Sequence, residues 1–330
     1  MADNIRWGIL STGTIATKFA TGLQSVEDAE MLAVGSRSQA AADEFGDAFD
    51  IERRYSSYEA LAQDPDIDAI YIGTPHSFHK ENTLLCLNHG KAVLCEKPFA
   101  INAKEAEEMI QAAREKGVFL MEAMWSRYLP VMQRVRQILA DRVIGDVIQL
   151  TADFGFHNSF NPAHRLYSPE LGGGALLDIG VYPVSMASMM FGTPSQIYTM
   201  AHLGESGVDE NAAIIFGYDN NLAISVITTT MRVQSHRSAI INGTKGRIRL
   251  PEPWWKTETF TLEIHGGETT EIAVPIIGNG YNYQAVEVGR CLREGLLESD
   301  IMPLEETLSV MQTLDNIRAQ WGLKYPMEDV

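Results

Sequence analysis

Short, uninterrupted apolar runs mark the first third of the chain, at residues 5–10, 31–34, 69–73, 92–95 and 118–121. Runs of this length without alternation predict strands covered on both faces, as in a parallel sheet. The intervening segments at 15–23, 80–89 and 103–116 carry helical spacing, so strand and helix alternate as in βαβ units. The last of these helices has Asn102 as N-cap, Glu105 three residues on in capping-box position, and Gly117 to close it.

Beyond Gly145-Asp146 the period changes. Over 148–154 the even positions are apolar and the odd ones polar, which predicts a strand with one covered and one wetter face. Further strands are expected at 212–216, 222–230, 239–241, 260–264 and 271–274, with turns at Asp219-Asn220-Asn221 and His265-Gly266-Gly267. Helical patterns at 284–294 and 304–320 follow. The expected architecture is α/β, with an N-terminal Rossmann parallel sheet over 1–123. A C-terminal α+β domain over 124–330 is expected to carry a largely antiparallel, open-faced sheet with helices on one side.

Composition narrows the partners. The 330 residues suffice for two cores, and 45% hydrophobic with 21% charged residues describes an ordinary globular protein. A net charge of -17 with no basic block argues against nucleic acid or an anionic membrane surface, so an anionic ligand needs a local basic pocket. The opening Met1-Ala2-Asp3-Asn4-Ile5-Arg6 lacks the basic and apolar regions of a signal peptide, and no window is read as a membrane span. Three cysteines, Cys86, Cys95 and Cys291, form no C-x-x-C pair; buried thiols, no metal and a cytoplasmic location are expected.

The first strand runs into Gly8-Ile9-Leu10-Ser11-Thr12-Gly13-Thr14-Ile15-Ala16 and then a helix. A dinucleotide fingerprint G-x-G-x-x-G/A places glycines where the backbone turns sharply and approaches a pyrophosphate. Here Ser11 stands for the first glycine, Gly13 for the second and Ala16 for the small third residue, and the helix N-terminus still offers free N–H groups to phosphate. The degraded motif gains weight from its place after strand one of a βαβ series. Where an NAD enzyme carries an acid for the ribose hydroxyl, this chain reads Val34-Gly35-Ser36-Arg37-Ser38. A hydroxyl followed by a guanidinium suits a 2'-phosphate, which predicts NADP.

The densest chemistry lies in Val93-Leu94-Cys95-Glu96-Lys97-Pro98. Pro98 stops the strand, leaving Glu96 and Lys97 at the carboxyl edge of the sheet, where open α/β folds bind ligands. Taken alone, the stretch fits equally a lysine that snorkels from a strand end.

Gly8 to Ala16, Gly73-Thr74-Pro75-His76, the run from Gly90 to Pro98, and Asp178-Ile179-Gly180-Val181-Tyr182, in this order, resemble the glucose-fructose oxidoreductase / inositol dehydrogenase (Gfo/Idh/MocA) family over nearly the whole chain. Trp7 to Ser11, Gly35 to Ser38, Met121-Glu122-Ala123-Met124-Trp125-Ser126-Arg127 and Gly172 to Asp178 are most similar to its branch of NADP-dependent trans-dihydrodiol and D-xylose dehydrogenases. Many members end the Asp-containing motif with His; Tyr182 here matches the branch and speaks against inositol dehydrogenase chemistry.

The resemblance implies that Lys97 and Tyr182 meet beside the nicotinamide with Asp178 nearby. Alcohol oxidation needs a base for the hydroxyl proton, and a tyrosine, titrating near about 10, becomes one when an ammonium lowers its pKa. Asp178, four residues before Tyr182, is expected on the same helical face; a core tyrosine is the alternative. The resemblance also implies cofactor contacts from His76 and His79, which otherwise read as loop or helix-start histidines, beside Thr74 and Pro75. Trp125, Arg127 and Phe154 are candidate walls of a substrate pocket, or core residues. Arg165, beside His164, is a candidate for cofactor or substrate, or a surface residue, and Tyr281 and Tyr283 follow a Gly278-Asn279-Gly280 turn that borders the site. The expected function is hydride transfer between a cyclic polyol and NADP, acting as a homodimer. A sugar-carbonyl reductase and a non-catalytic dinucleotide sensor are the alternatives.

Overall fold

The computed structural model describes residues 4–219 and 222–329. The chain forms two compact units, one made of residues up to Tyr128 with Ile277–Leu308 and the other of Leu129–Ile276 with the residues from Ser309 onward. The sequence division was one cut at 123/124; the chain passes from one unit to the other at three points, 128/129, 276/277 and 308/309.

In the first unit six strands, β1 (Ile5–Leu10), β2 (Ala29–Gly35), β3 (Arg53–Tyr55), β4 (Ala69–Ile72), β5 (Ala92–Glu96) and β6 (Leu120–Ala123), form one sheet in the order β3-β2-β1-β4-β5-β6, all pairs parallel. This is the doubly wound order, whose switch point falls between β1 and β4. The connecting helices are α1 (Thr14–Leu23), α2 (Gln39–Phe49), α3 (Tyr58–Gln63), α4 (His79–Asn88) and α5 (Ala103–Lys116). Asn102 caps α5 through the Glu105 amide at 2.9 Å, and Gly117 closes it at φ 61°.

The second unit opens with α6 (Pro130–Ala140) and β7 (Val147–Gly155). It continues through α7 (Val181–Phe191), β8 (Gln196–Leu203), β9 (Asp209–Tyr218), β10 (Ala223–Thr230), β11 (Ala239–Gly243), β12 (Gly246–Leu250), β13 (Thr259–Ile264) and β14 (Thr269–Ala273). The eight-stranded sheet runs β14-β13-β12-β11-β7-β10-β9-β8, antiparallel throughout except for β7 with β10. The turn read at 219–221 has Asn220 and Asn221 outside the described residues. Leu150, Ala152 and Phe154 of β7 are buried, as their alternation predicts, but Ile148, at the start of the strand, is exposed. On the open face Tyr198, Met200, Ile215 and Ile224 are all exposed, Met200 at 77%.

The last helices are α8 (Asn282–Arg293) and α9 (Leu304–Trp321). Ala285, Val288 and Cys291 of α8 join Trp7, Phe19, Tyr71 and Tyr128 in one buried cluster, which is why residues 277–308 belong to the first unit. One sequence expectation needs correction. The stretch Pro169–Phe191 is long and apolar enough to cross a membrane by composition, although no such window was expected. In this fold it is broken by a tight turn and packed as a core segment, 78% of its apolar window being buried.

Candidate active site

At the β1–α1 turn Ser11 adopts φ +98°, the left-handed side of conformational space that a glycine would take without strain. Its amide donates to the Gly35 carbonyl at 3.0 Å and its hydroxyl to the Gly73 carbonyl at 2.8 Å, so one residue ties together the ends of β1, β2 and β4. Serine can replace the first fingerprint glycine because these bonds hold the strained backbone. A Cβ on Gly13 would meet nothing within 4 Å, and no side chain at that N-cap occupies the first N–H groups of α1. Thr12, Thr14 and Ile15 surround this helix start, while Ala16 is fully buried beneath it. Gly8 lies earlier, inside β1, where a Cβ would press on Ile67 and Ile70; it packs the sheet rather than shaping the turn.

Ser36 is buried at the end of β2, its amide bonded to the Tyr55 carbonyl. Arg37 is exposed and lines, with Tyr58, Thr74, Pro75 and Phe78, a cavity of about 350 Å³. Burial pushes the Tyr58 phenol upward while the Arg37 guanidinium beside it opposes that shift. These residues fit a phosphorylated dinucleotide: an open glycine, an uncapped helix start, and a guanidinium at the strand end. They would hold the pyrophosphate at Thr12 to Ile15 and a 2'-phosphate at Ser36 and Arg37.

Lys97 is half-buried at the end of β5, and the peptide joining it to Pro98 is cis. Glu96 is turned into the fold: its carboxylate accepts from the Tyr71 hydroxyl at 2.6 Å and from the Lys97 amide at 3.2 Å. Burial, then the adjacent carboxylate, drives the Tyr71 phenol well above its ordinary range. His79 is fully enclosed, with its ring nitrogens 2.8 Å from the Pro98 carbonyl oxygen and 3.0 Å from that of Thr74. Desolvation pushes the His79 imidazole down to about 4. His79 therefore braces the Lys97-Pro98 turn against the Thr74-Pro75 loop, and His76 meets its ring edge-on at 5.7 Å. Trp125 stacks on Tyr281 at 4.4 Å, while the Tyr283 hydroxyl accepts from the Ile277 amide. Arg127 is buried in an ion pair with Glu306 at 2.6 Å, beside Glu122, whose carboxylate accepts from Thr307.

In the second unit, a π-turn at Leu176–Gly180 leads into α7. Asp178 lies in that turn rather than on the regular α-helix expected for it, and its carboxylate takes Arg165 at 2.9 Å. The Arg165 side chain is half exposed, and the neighbouring His164 ring nitrogen caps the Leu166 amide. Tyr182 faces Phe154 at 5.4 Å and Trp255 at 6.5 Å, and those two rings stack on each other at 3.4 Å. Arg237 lies 5.9 Å over Trp255. Trp255 escaped the sequence reading; its signal was the Pro253-Trp254-Trp255 cluster in a stretch without regular period. Lys97 thus belongs to the first unit and Asp178, Tyr182, Phe154 and Trp255 to the second.

A six-stranded doubly wound sheet with an uncapped helix start after its first strand, in one chain with a second unit carrying a large open-faced sheet, has the organisation of a two-domain, dinucleotide-binding protein. Residues 5–124 match the model of the oxidoreductase family with an NAD-binding Rossmann fold, and residues 132–249 match the GFO/IDH/MocA C-terminal domain. The chain belongs to the GFO/IDH/MocA oxidoreductase family. Among its relatives, the trans-1,2-dihydrobenzene-1,2-diol dehydrogenase of Mus musculus is 39% identical, over 98% of this chain and 99% of the relative. That of Xenopus laevis is 40% identical, over 97% and 99%. Among solved structures, the aldose-aldose oxidoreductase of Caulobacter crescentus shares the fold with TM-score 0.87 at 22% identity, covering 97% of this chain and 98% of that one.

Proposed function

We propose that this protein is an NADP-dependent dehydrogenase that oxidises a secondary hydroxyl of a cyclic polyol, a trans-dihydrodiol in the first place and a pyranose such as D-xylose in the second. The observation that carries the reading is the end-to-end similarity to relatives named trans-1,2-dihydrobenzene-1,2-diol dehydrogenase. The aromatic cluster around Tyr182 supports it, since Phe154 and Trp255 place apolar rings beside the assigned base.

NADP, when bound, would supply the hydride acceptor for the carbon bearing the hydroxyl. Tyr182, as phenolate, would take the hydroxyl proton at its Oη and then release it to solvent, while the Lys97 ammonium, unchanged in charge, would favour the phenolate form. Arg165 fixes Asp178 in the turn that leads to Tyr182. Glu96 and His79 act one layer back, holding the backbone that presents Lys97. We further propose a homodimer formed through the open face of the second sheet, where Tyr198, Met200, Ile215 and Ile224 are exposed. A cytosolic location fits three buried free thiols and is checked by fractionation.

The test is a panel of dihydrodiols, aldopyranoses and inositols followed by NADPH absorbance, run in parallel on Tyr182→Phe. Oxidation of a dihydrodiol or pyranose that falls about 10²- to 10⁴-fold in the variant is the expected result. Near-parental turnover by Tyr182→Phe would refute the assignment of the base.

A further inference from the structure

Tyr182 and Asp178 are carried by a segment that begins without a cap of its own. The run Gly172-Gly173-Gly174 supplies no side chain, and none at Ala175 bonds the first turn. The missing acceptor comes from β9, where the carboxylate of Asp209 takes the Leu176 amide at 2.7 Å, two residues before Asp178 and six before Tyr182. Asp209 is wholly buried, and its second oxygen faces Gly174, where a Cβ would stand 2.3 Å from it. Gly174 also sits at φ +113°. The same turn is pinned by the Tyr325 hydroxyl on the Gly173 carbonyl at 2.6 Å and by the Gly174 amide on the Leu166 carbonyl at 2.9 Å. The glycine run is therefore shaped around a carboxylate that lies 33 residues beyond Leu176 in the chain.

We propose that Asp209 is a positioning residue for the reaction: by capping the π-turn at Leu176 it sets the rotation and depth at which Asp178 and Tyr182 are presented. The inference rests on the reading of Tyr182 as the base. Burial raises the Asp209 carboxyl to about 7, opposed by the Leu176 amide and by Arg318, so the fold keeps an acid in a costly place. A carboxylate held there despite its desolvation fits a geometric duty, since replacing buried charged groups by apolar ones is often neutral or stabilising.

The experiment compares Asp209→Ala, Asp209→Asn and Gly174→Ala with the parent and with Tyr182→Phe, measuring hydrogen exchange over 174–182, kcat, and KM for NADP. In Asp209→Ala and Gly174→Ala we expect faster exchange confined to 174–182. We also expect kcat down by about 10- to 100-fold, as misplacement of a reacting group produces, with KM for NADP unchanged. Asp209→Asn keeps an acceptor oxygen and should restore both. If Asp209→Ala does not fold, Gly174→Ala carries the test: it leaves the carboxylate in place, while its Cβ presses on Asp209 and strains the turn at φ +113°. Unchanged exchange over 174–182 overturns the proposal, as does loosened exchange with parental kcat while Tyr182→Phe is inactive. An active Tyr182→Phe instead refutes the base assignment, and the positioning role falls with it.

Discussion

Replacing Ser11 separates two effects that usually act together, because this serine is strained in its backbone and bonded through its side chain. Ser11→Ala keeps φ +98° and loses the bond to the buried Gly73 carbonyl. A lost bond to a buried acceptor costs about 1–3 kcal/mol, so a loss of about 2 kcal/mol is expected. Ser11→Gly loses the same bond but releases backbone strain worth roughly 1–3 kcal/mol, offset by about 0.5–1 kcal/mol of extra chain entropy in the unfolded state. Glycine should therefore leave the protein about 1 kcal/mol more stable than alanine, the reverse of the usual order at an unstrained site. Urea midpoints of the three proteins, with KM for NADP alongside, measure this. Ser11→Ala as stable as Ser11→Gly would show that no strain is held at the turn.

Arg37→Ala should raise KM for NADP at least about tenfold, the loss of a charge-assisted bidentate contact, while changing KM for NAD little; equal parental affinity for both cofactors would remove the premise. Lys97→Met should abolish turnover at neutral pH, with any residual rate recovered only at higher pH, as a pH–rate profile reads directly. Sedimentation should give a dimer mass that Met200→Lys with Ile215→Lys reduces to a monomer; a parent that is monomeric at every concentration contradicts the interface. Burial raises the Glu122 carboxyl to about 7, opposed by Thr307 and Arg127. Its ionisation thus weakens the fold: the stability it permits at acid pH is lost as pH climbs from the ordinary carboxyl range through about 7. The difference in unfolding free energy between Glu122→Gln and the parent should widen across that window by up to about 1.4 kcal/mol per pH unit, and a flat difference refutes the shift.

Strands with continuous apolar runs were legible because burial on both faces leaves no other composition open to them: β1, β4 and β5 fall where the sequence put them. The three-residue edge strand β3, Arg53-Arg54-Tyr55, gave no apolar signal, since its inclusion depends on β2 beside it. β8 escaped for a related reason, as it alternates with its apolar side chains exposed, leaving Tyr198 and Met200 in solvent. Among site residues, Lys97 and Tyr182 stood in recognisable motifs. Trp255 did not, because its role comes from stacking on Phe154, about a hundred residues away in sequence. Asp209 was invisible for the same reason: a tertiary cap leaves no local spacing to read.

The placement of α8 has a consequence for how the protein is made. The Rossmann core around Trp7, Phe19 and Tyr71 is completed by Ala285, Val288 and Cys291, so on a ribosome it waits with an uncovered apolar patch until nearly nine-tenths of the polypeptide has been synthesised. The intervening unit must form while its predecessor is unfinished. A clone ending near residue 123 would present that patch permanently to water, which makes aggregation, rather than a soluble nucleotide-binding fragment, the expected product of cutting this gene at its apparent boundary.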